Sequence, residues 1–316
     1  MKNDMYLKQA SLILRVLPHI YKEECFALKG GTAINFFIRD FPRLSVDIDL
    51  ALINISERNS GLNEINSALL RISNSLRSSF SNIEITQRKL KETDSIIGLS
   101  LRYLNVSINI EVNIVFRGSV FIPQIAQITK RIKSDFEIDL EMRLLSTADI
   151  YGGKICAALD RQHPRDLFDI KLLFDNEGIT DDIRKAFIIY LISHPRPISE
   201  LLNPNLHDIK MTYENEFAGM TDDEVSYDQL LQARERLVST IQKDLTENEK
   251  EFLISFKNKT PDWKLLDLYH DEDPVFNIER IKSLPSINWK LFNLEKMTKK
   301  KHLEALATLE QFLRKQ

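Results

Sequence analysis

Between Val106 and Phe116 the chain reads VSINIEVNIVF, a nearly unbroken alternation of apolar and polar residues. Successive side chains of a β-strand point to opposite faces. Only a strand therefore gathers Val106, Ile108, Ile110 and Val112 on one side and Ser107, Asn109, Glu111 and Asn113 on the other. Such a strand needs neighbours to pair with and an apolar cover for one face, and the flanking residues offer both. Ile83–Leu90 and Ile96–Tyr103 read as strands, as do Cys25–Lys29, ending at Gly30-Gly31, and Ser45–Asn54 (SVDIDLALIN), which alternates acidic with apolar residues near its start. Helical periodicity marks residues 4–24, 32–39 and 60–80. Glu137–Leu145 is a further strand candidate. The expected order is α-β-α-β-α-β-β-β, a mixed sheet with helices.

The pattern changes at Ser146. Ser146-Thr147-Ala148-Asp149 is a helix N-cap signature. Helices are expected to about Arg161 and over 165–176, 182–193, 227–244, 246–257 and 294–315, with little strand among them. We therefore expect an α+β chain: an α/β domain over residues 1–145 and an all-helical domain over 146–316. A length of 316 residues accommodates two such cores without disulfides. Lys and Arg number 43 against 46 Asp and Glu, a net charge of -3, which excludes a globally basic nucleic-acid binder but leaves room for a local basic patch. Two cysteines, Cys25 and Cys156, make neither a disulfide framework nor a zinc cluster and read as small buried hydrophobes. The N-terminal residues carry no signal-peptide pattern, and no apolar run approaches the roughly 18 residues of a membrane span. The expectation is a cytoplasmic protein with no membrane partner.

Chemistry concentrates in two blocks. Gly30-Gly31-Thr32 opens a helix, where a bare backbone can approach a phosphate and free N–H groups carry partial positive charge. Asp47 and Asp49 follow on one face of the next strand. Two carboxylates so close repel unless a cation sits between them, and hard oxygen pairs of this kind suit Mg²⁺ completed by substrate phosphates. Glu111, on the polar face of its strand, is the candidate third ligand, enough to hold two Mg²⁺ ions. An Asp-x-Asp alone is otherwise a solvated strand face, and a lone Gly-Gly a turn. The second block comprises Lys154, Arg161, Arg165, Asp166 and Asp169. Lys154 and Arg161 lie two helical turns apart on one face, and either could meet a nucleotide's phosphates. The bland alternative is a cap at Asp166 and an Arg165–Asp169 pair. Gly152-Gly153-Lys154 lacks the spacing of a phosphate loop and lies inside a helix. His163 punctuates two helices as a turn residue.

Together, LKGGTAINFF with RLSVDIDLAL and DIYGGKICAALDRQHPRDLFDI resemble the AbiEii/AbiGii-type nucleotidyltransferase toxins of the DNA polymerase β-like superfamily. The matched residues are Gly30, Gly31, Thr32, Arg43, Ser45, Asp47 and Asp49, then Lys154, Ala157, Arg161, Arg165, Asp166 and Asp169. EFAGMTDDEVS (216–226) adds a weaker likeness. The resemblance implies a polymerase β-like domain followed by a helical one, and transfer of a nucleotide from a nucleoside triphosphate to RNA, with the tRNA 3′ end as target. It also implies the setting of a toxin–antitoxin or abortive-infection module, hence an antitoxin partner. In it Asp47 and Asp49 would bind Mg²⁺. Gly31 and Thr32, with Gly30 and Ser45, would line the nucleotide, which Lys154 and Arg161 would contact, and Asp166 would be a further active-site carboxylate. Rival readings are transfer onto a protein hydroxyl and a non-catalytic nucleotide- or RNA-binding module. RNA would need basic surface, offered by Lys130-Arg131-Ile132-Lys133 and by Lys296, Lys299, Lys300, Lys301, Arg314 and Lys315. Nothing points to sequence-specific DNA reading.

Overall fold

A computed structural model of the chain describes residues 2–91, 93–221, 223–267 and 278–314. It falls into two compact units, Met1–Ile150 with Ala218–Glu224, and Tyr151–Phe217 with Val225–Gln316. The division comes after Ile150 where the sequence suggests 145, and the stretch 218–224 returns to the first unit. In that return, Thr221 bridges Arg43 and Leu44 N–H donates to Met220 O at 2.9 Å. Asp222, within the stretch 216–226, and Lys315 lie outside the described residues.

The first unit runs α1 (Lys2–Tyr21), β1 (Phe26–Lys29), α2 (Gly30–Ala33, continuing as a π-helical turn to Ile38), β2 (Asp47–Leu52), α3 (Arg58–Ser79), β3 (Glu84–Lys89), β4 (Ile96–Tyr103), β5 (Val106–Asn113), β6 (Gln124–Gln127), α4 (Lys130–Asp135) and β7 (Glu141–Leu144). Seven strands form one sheet in the order β3-β4-β5-β2-β1-β7-β6. β2 is central, parallel to β5 and antiparallel to β1. The alternation of β5 works as its composition requires. Val106, Ile108, Ile110 and Val112 are buried, whereas Asn109, Glu111 and Asn113 stay partly open. α1 packs on β5 and β7, and α3 on β4. Two elements were illegible in the sequence: β6 is four mostly exposed residues, and α4 carries a single buried apolar side chain, Ile132. Neither shows a period to read.

α5 (Thr147–Asp160) opens as its cap signature predicts. Ser146 Oγ accepts from Asp149 N–H at 3.0 Å, and the Asp149 carboxylate takes the backbone N–H groups of Val120 and Phe121. The second unit continues with α6 (Pro164–Asp175), α7 (Asp181–Ser193), α8 (Ile198–Leu202), α9 (Lys210–Thr212), α10 (Tyr227–Asp244), α11 (Glu247–Lys257), α12 (Ile278–Lys282), α13 (Pro285–Glu295) and α14 (Lys299–Arg314). Reciprocal capping boxes at Ser226/Gln229 and Thr246/Glu249 start α10 and α11. Gly152 in α5 is a packing residue: a Cβ there would stand 2.8 Å from the backbone nitrogen of Phe187 in α7. The expected single helix over 294–315 is instead two, since α13 ends at Glu295 and α14 begins at Lys299. Both cysteines are buried and free, and burial pushes the Cys25 thiol up to about 12. Among the described residues no helix is long and apolar enough to cross a membrane.

Candidate active site

In the first unit, sheet register does what neither motif does alone. Lys29, Asp49, Glu111, Gly98 and Arg88 form one row across five neighbouring strands, and Asp47, Asn109, Ser100 and Thr86 form the adjacent row on the same face. Asp47 is held from the side: Ser100 Oγ donates to Asn109 Oδ1 at 2.9 Å, and Asn109 Nδ2 donates to Asp47 Oδ1 at 3.1 Å. Asn109 thus presents its amide to Asp47 in one orientation. Ser100 is a supporting residue the sequence motifs do not contain, although its strand alternates.

The Gly30-Gly31 turn is wedged against this row. Gly30 has φ +70°, and a Cβ on it would lie 2.3 Å from Asp49 Oδ2, while one on Gly31 would lie 2.7 Å from Arg43 Nη2. Arg43 is buried and donates to Leu44 O at 2.9 Å. Thr32 Oγ1 donates to Asp47 O at 2.5 Å and therefore accepts from Ser45 Oγ at 2.8 Å. Thr32 and Ser45, expected among the nucleotide contacts, are buried with these hydroxyls turned inward. They pin the start of α2 to the strand that carries the two aspartates. Gly30→Ala is expected to be destabilising by about 1–2 kcal/mol from the left-handed backbone alone, with Asp49 displaced besides. A thermal melt checks it, and an unchanged Tm would refute the strain.

Glu111 has an arginine partner. Its Cα is paired with that of Asp49, but its Oε1 accepts from Arg88 Nη1 at 2.7 Å, the arginine reaching across Gly98. A Cβ on Gly98 would stand 2.8 Å from the backbone oxygen of Ile110 and 3.2 Å from Arg88 Nε, so a bare backbone there spares a clash with β5 first and leaves room for the arginine. Among the described residues no three His, Cys, Asp or Glu side chains converge as a metal cluster. The carboxylate face therefore offers Asp47 and Asp49 as a pair, with Glu111 turned to a cation of its own.

The second block lies in the helical unit and is a buried ionic knot. Lys154 Nζ lies 2.9 Å from Asp166 Oδ1 and 3.0 Å from Asp169 Oδ2, and Arg161 Nε donates to Asp166 Oδ2 at 2.6 Å. Asp169 takes Lys154, where the sequence suggested Arg165. Burial on its own would raise the Asp166 carboxyl, yet the charges of Lys154 and Arg161 outweigh it and hold the group well below the usual carboxylate range. The Lys154 side chain is 6% exposed and that of Arg161 63%, so Arg161 is the cation of the knot open to solvent. His163 caps α6, accepting from Arg165 N–H at 3.1 Å, and its Nε2 meets Glu216 at 3.0 Å.

The decisive comparison is with protein families. The family model described as nucleotidyl transferase AbiEii toxin, type IV toxin–antitoxin system, matches residues 12–276. The chain belongs to the AbiEii nucleotidyltransferase toxin family. Among solved structures it is similar to MenT4, a nucleotidyltransferase toxin from Mycobacterium tuberculosis, with a TM-score of 0.54 at 12% identity over 95% of this chain and 91% of that one. At that identity the likeness speaks for the fold. A search of curated protein sequences returns no match. Membership makes the chain a nucleotidyltransferase toxin and implies an antitoxin partner. It also accounts for the length over which the two motif blocks hold together, since the matched region contains both.

Proposed function

We propose that the chain transfers a nucleotidyl group from a nucleoside triphosphate to the 3′-terminal hydroxyl of an RNA, with tRNA as the acceptor and Mg²⁺ held by Asp47 and Asp49. The observation that carries this reading is the pair of carboxylates on one face of β2 with the Gly30-Gly31 turn pressed against one of them. The donor set suits Mg²⁺, which takes one or two carboxylates and completes its shell with phosphate oxygens and water. Bound there, the cation supplies charge stabilisation for a phosphoryl displacement.

The chain's own residues have distinct tasks. Asn109 and Ser100 orient Asp47, while Thr32 and Ser45 fix the strand against the glycine turn. In the reaction the acceptor hydroxyl oxygen bonds to the α-phosphorus, the α–β phosphoanhydride bond breaks, pyrophosphate leaves and the hydroxyl proton passes to solvent. Arg161 is the solvent-exposed cation of the helical knot and the member whose exposure suits a phosphate contact, with Lys154, Asp166 and Asp169 as its foundation. This shifts the nucleotide contact expected of Lys154 towards Arg161. Incubation with each α-labelled triphosphate, Mg²⁺ and total tRNA tests the proposal. Label on the RNA 3′ end with one or more triphosphates is expected. Label on protein, or none on either, would overturn it.

A further inference from the structure

The outer face of α13 stands apart from the rest of the helical unit's surface. Trp289 and Phe292 are 42% and 52% exposed, and the Lys296 ammonium lies 4.0 Å from the Phe292 ring centroid. Spacings of three and four residues place all three on one side of the helix line. On the opposite side Lys290 is buried, its ammonium donating to the carbonyls of His194, Pro195 (3.3 Å) and Arg196 (2.9 Å). That anchor sets the rotation of α13 and keeps the aromatic face outward. Immediately beyond, α14 opens with Lys299, Lys300 and Lys301, all exposed, and Leu303 is 52% exposed on the same helix.

Exposed rings grouped in this way mark a contact surface, and the charge around them selects the partner. Four lysines fall within residues 296–301, flanked by two acids, Glu295 and Glu304. The other basic run behaves differently: Arg131 is paired with Asp135 and Lys133 with Asp139. Aromatic rings beside exposed lysines match a single-stranded polyanion whose bases stack on rings while its phosphates meet ammonium groups. We infer that the outer face of α13 together with the first turn of α14 is a docking surface for single-stranded RNA. The inference rests on the RNA-acceptor reading above.

The chain has two tryptophans, so W263F in the full chain leaves Trp289 as the sole indole reporter. Titration with a single-stranded oligoribonucleotide of about 12 nucleotides, without triphosphate, is expected to quench its emission saturably. W289A/F292A, at exposed positions, is expected to weaken binding of a labelled oligoribonucleotide about tenfold or more. Replacing Lys299, Lys300 and Lys301 by Gln is expected to reduce the log–log salt slope by about 2. Triphosphate binding should stay unchanged in both variants. Undiminished RNA affinity in W289A/F292A would overturn the surface, whether or not nucleotide transfer occurs. So would no RNA binding by the parent chain, or a double variant that alters only self-association or antitoxin binding. Transfer lost with the Trp289 quench intact would instead sink the reaction reading and leave the surface standing.

Discussion

Asp47→Asn is expected to reduce nucleotidyl transfer about a thousandfold or more while the protein stays folded. The amide copies the carboxylate's shape and can still accept from Asn109, which in the parent lies 3.1 Å from Asp47 Oδ1. What it lacks is the charge. One of two carboxylates facing a divalent cation and a triphosphate supplies several kcal/mol to a phosphoryl displacement, and each 1.36 kcal/mol is roughly tenfold in rate. Asn109→Ala keeps both charges and loses only orientation, for which about 10- to 100-fold is expected. Initial rates of label incorporation, with circular dichroism melts as the folding control, check the ranking. A folded Asp47→Asn chain within tenfold of the parent would remove Asp47 from the chemistry.

Lys154→Met is expected to cost about 3–5 kcal/mol of stability, because it takes the shared ammonium from two carboxylates that are 1% and 0% exposed, Asp166 and Asp169, and leaves Asp166 with Arg161. The pH dependence distinguishes this from lost packing. In the parent the Asp166 carboxyl is held below its unfolded value near 4, with burial opposed and outweighed by Lys154 and Arg161. Its contribution is therefore full above about pH 4 and fades as pH falls through the lowered folded value. Without Lys154 only Arg161 opposes burial at Asp166, so the lowering is smaller and the variant has less of this stability to lose as pH falls. The gap between parent and variant should then narrow as pH is lowered from about 7 to below 4. Urea midpoints across that range measure it. A midpoint equal to the parent's at pH 7, or two parallel pH profiles, would refute the knot's role.

What was readable in the sequence followed local physics. β5 was visible because its polar and apolar faces differ at every residue, and α10 and α11 because their capping boxes are written within four residues. α13 was not, since exposed Trp289 and Phe292 add apolar residues to its outer face and blur the stripe a helix usually shows. The same division holds at the site. Asp47 and Asp49 share a face through a two-residue spacing that any strand imposes. The Arg88–Glu111 pair depends on the alignment of β3, β4 and β5 with a glycine between, which no local pattern encodes. The partners of Lys154 depended on how the chain turns between α5 and α6 at Gln162, where φ is +51°. Spacing along a helix could suggest Arg161 as its neighbour but could not bring Asp169 round to it.

The return of residues 218–224 to the first unit has a bearing on when the site exists. Leu44 and Arg43, which lead into the aspartate strand, are held by Met220 and Thr221. A nascent chain that has just completed the sheet still lacks that brace, and closing so long a loop carries an entropic cost paid only at the end. During synthesis the carboxylate strand would wait unbraced until residues 151–217, the first part of the helical unit, had been made. For a family of toxins, such an order of assembly delays the finished site until late in translation, and fragments ending before residue 220 would be made without its support.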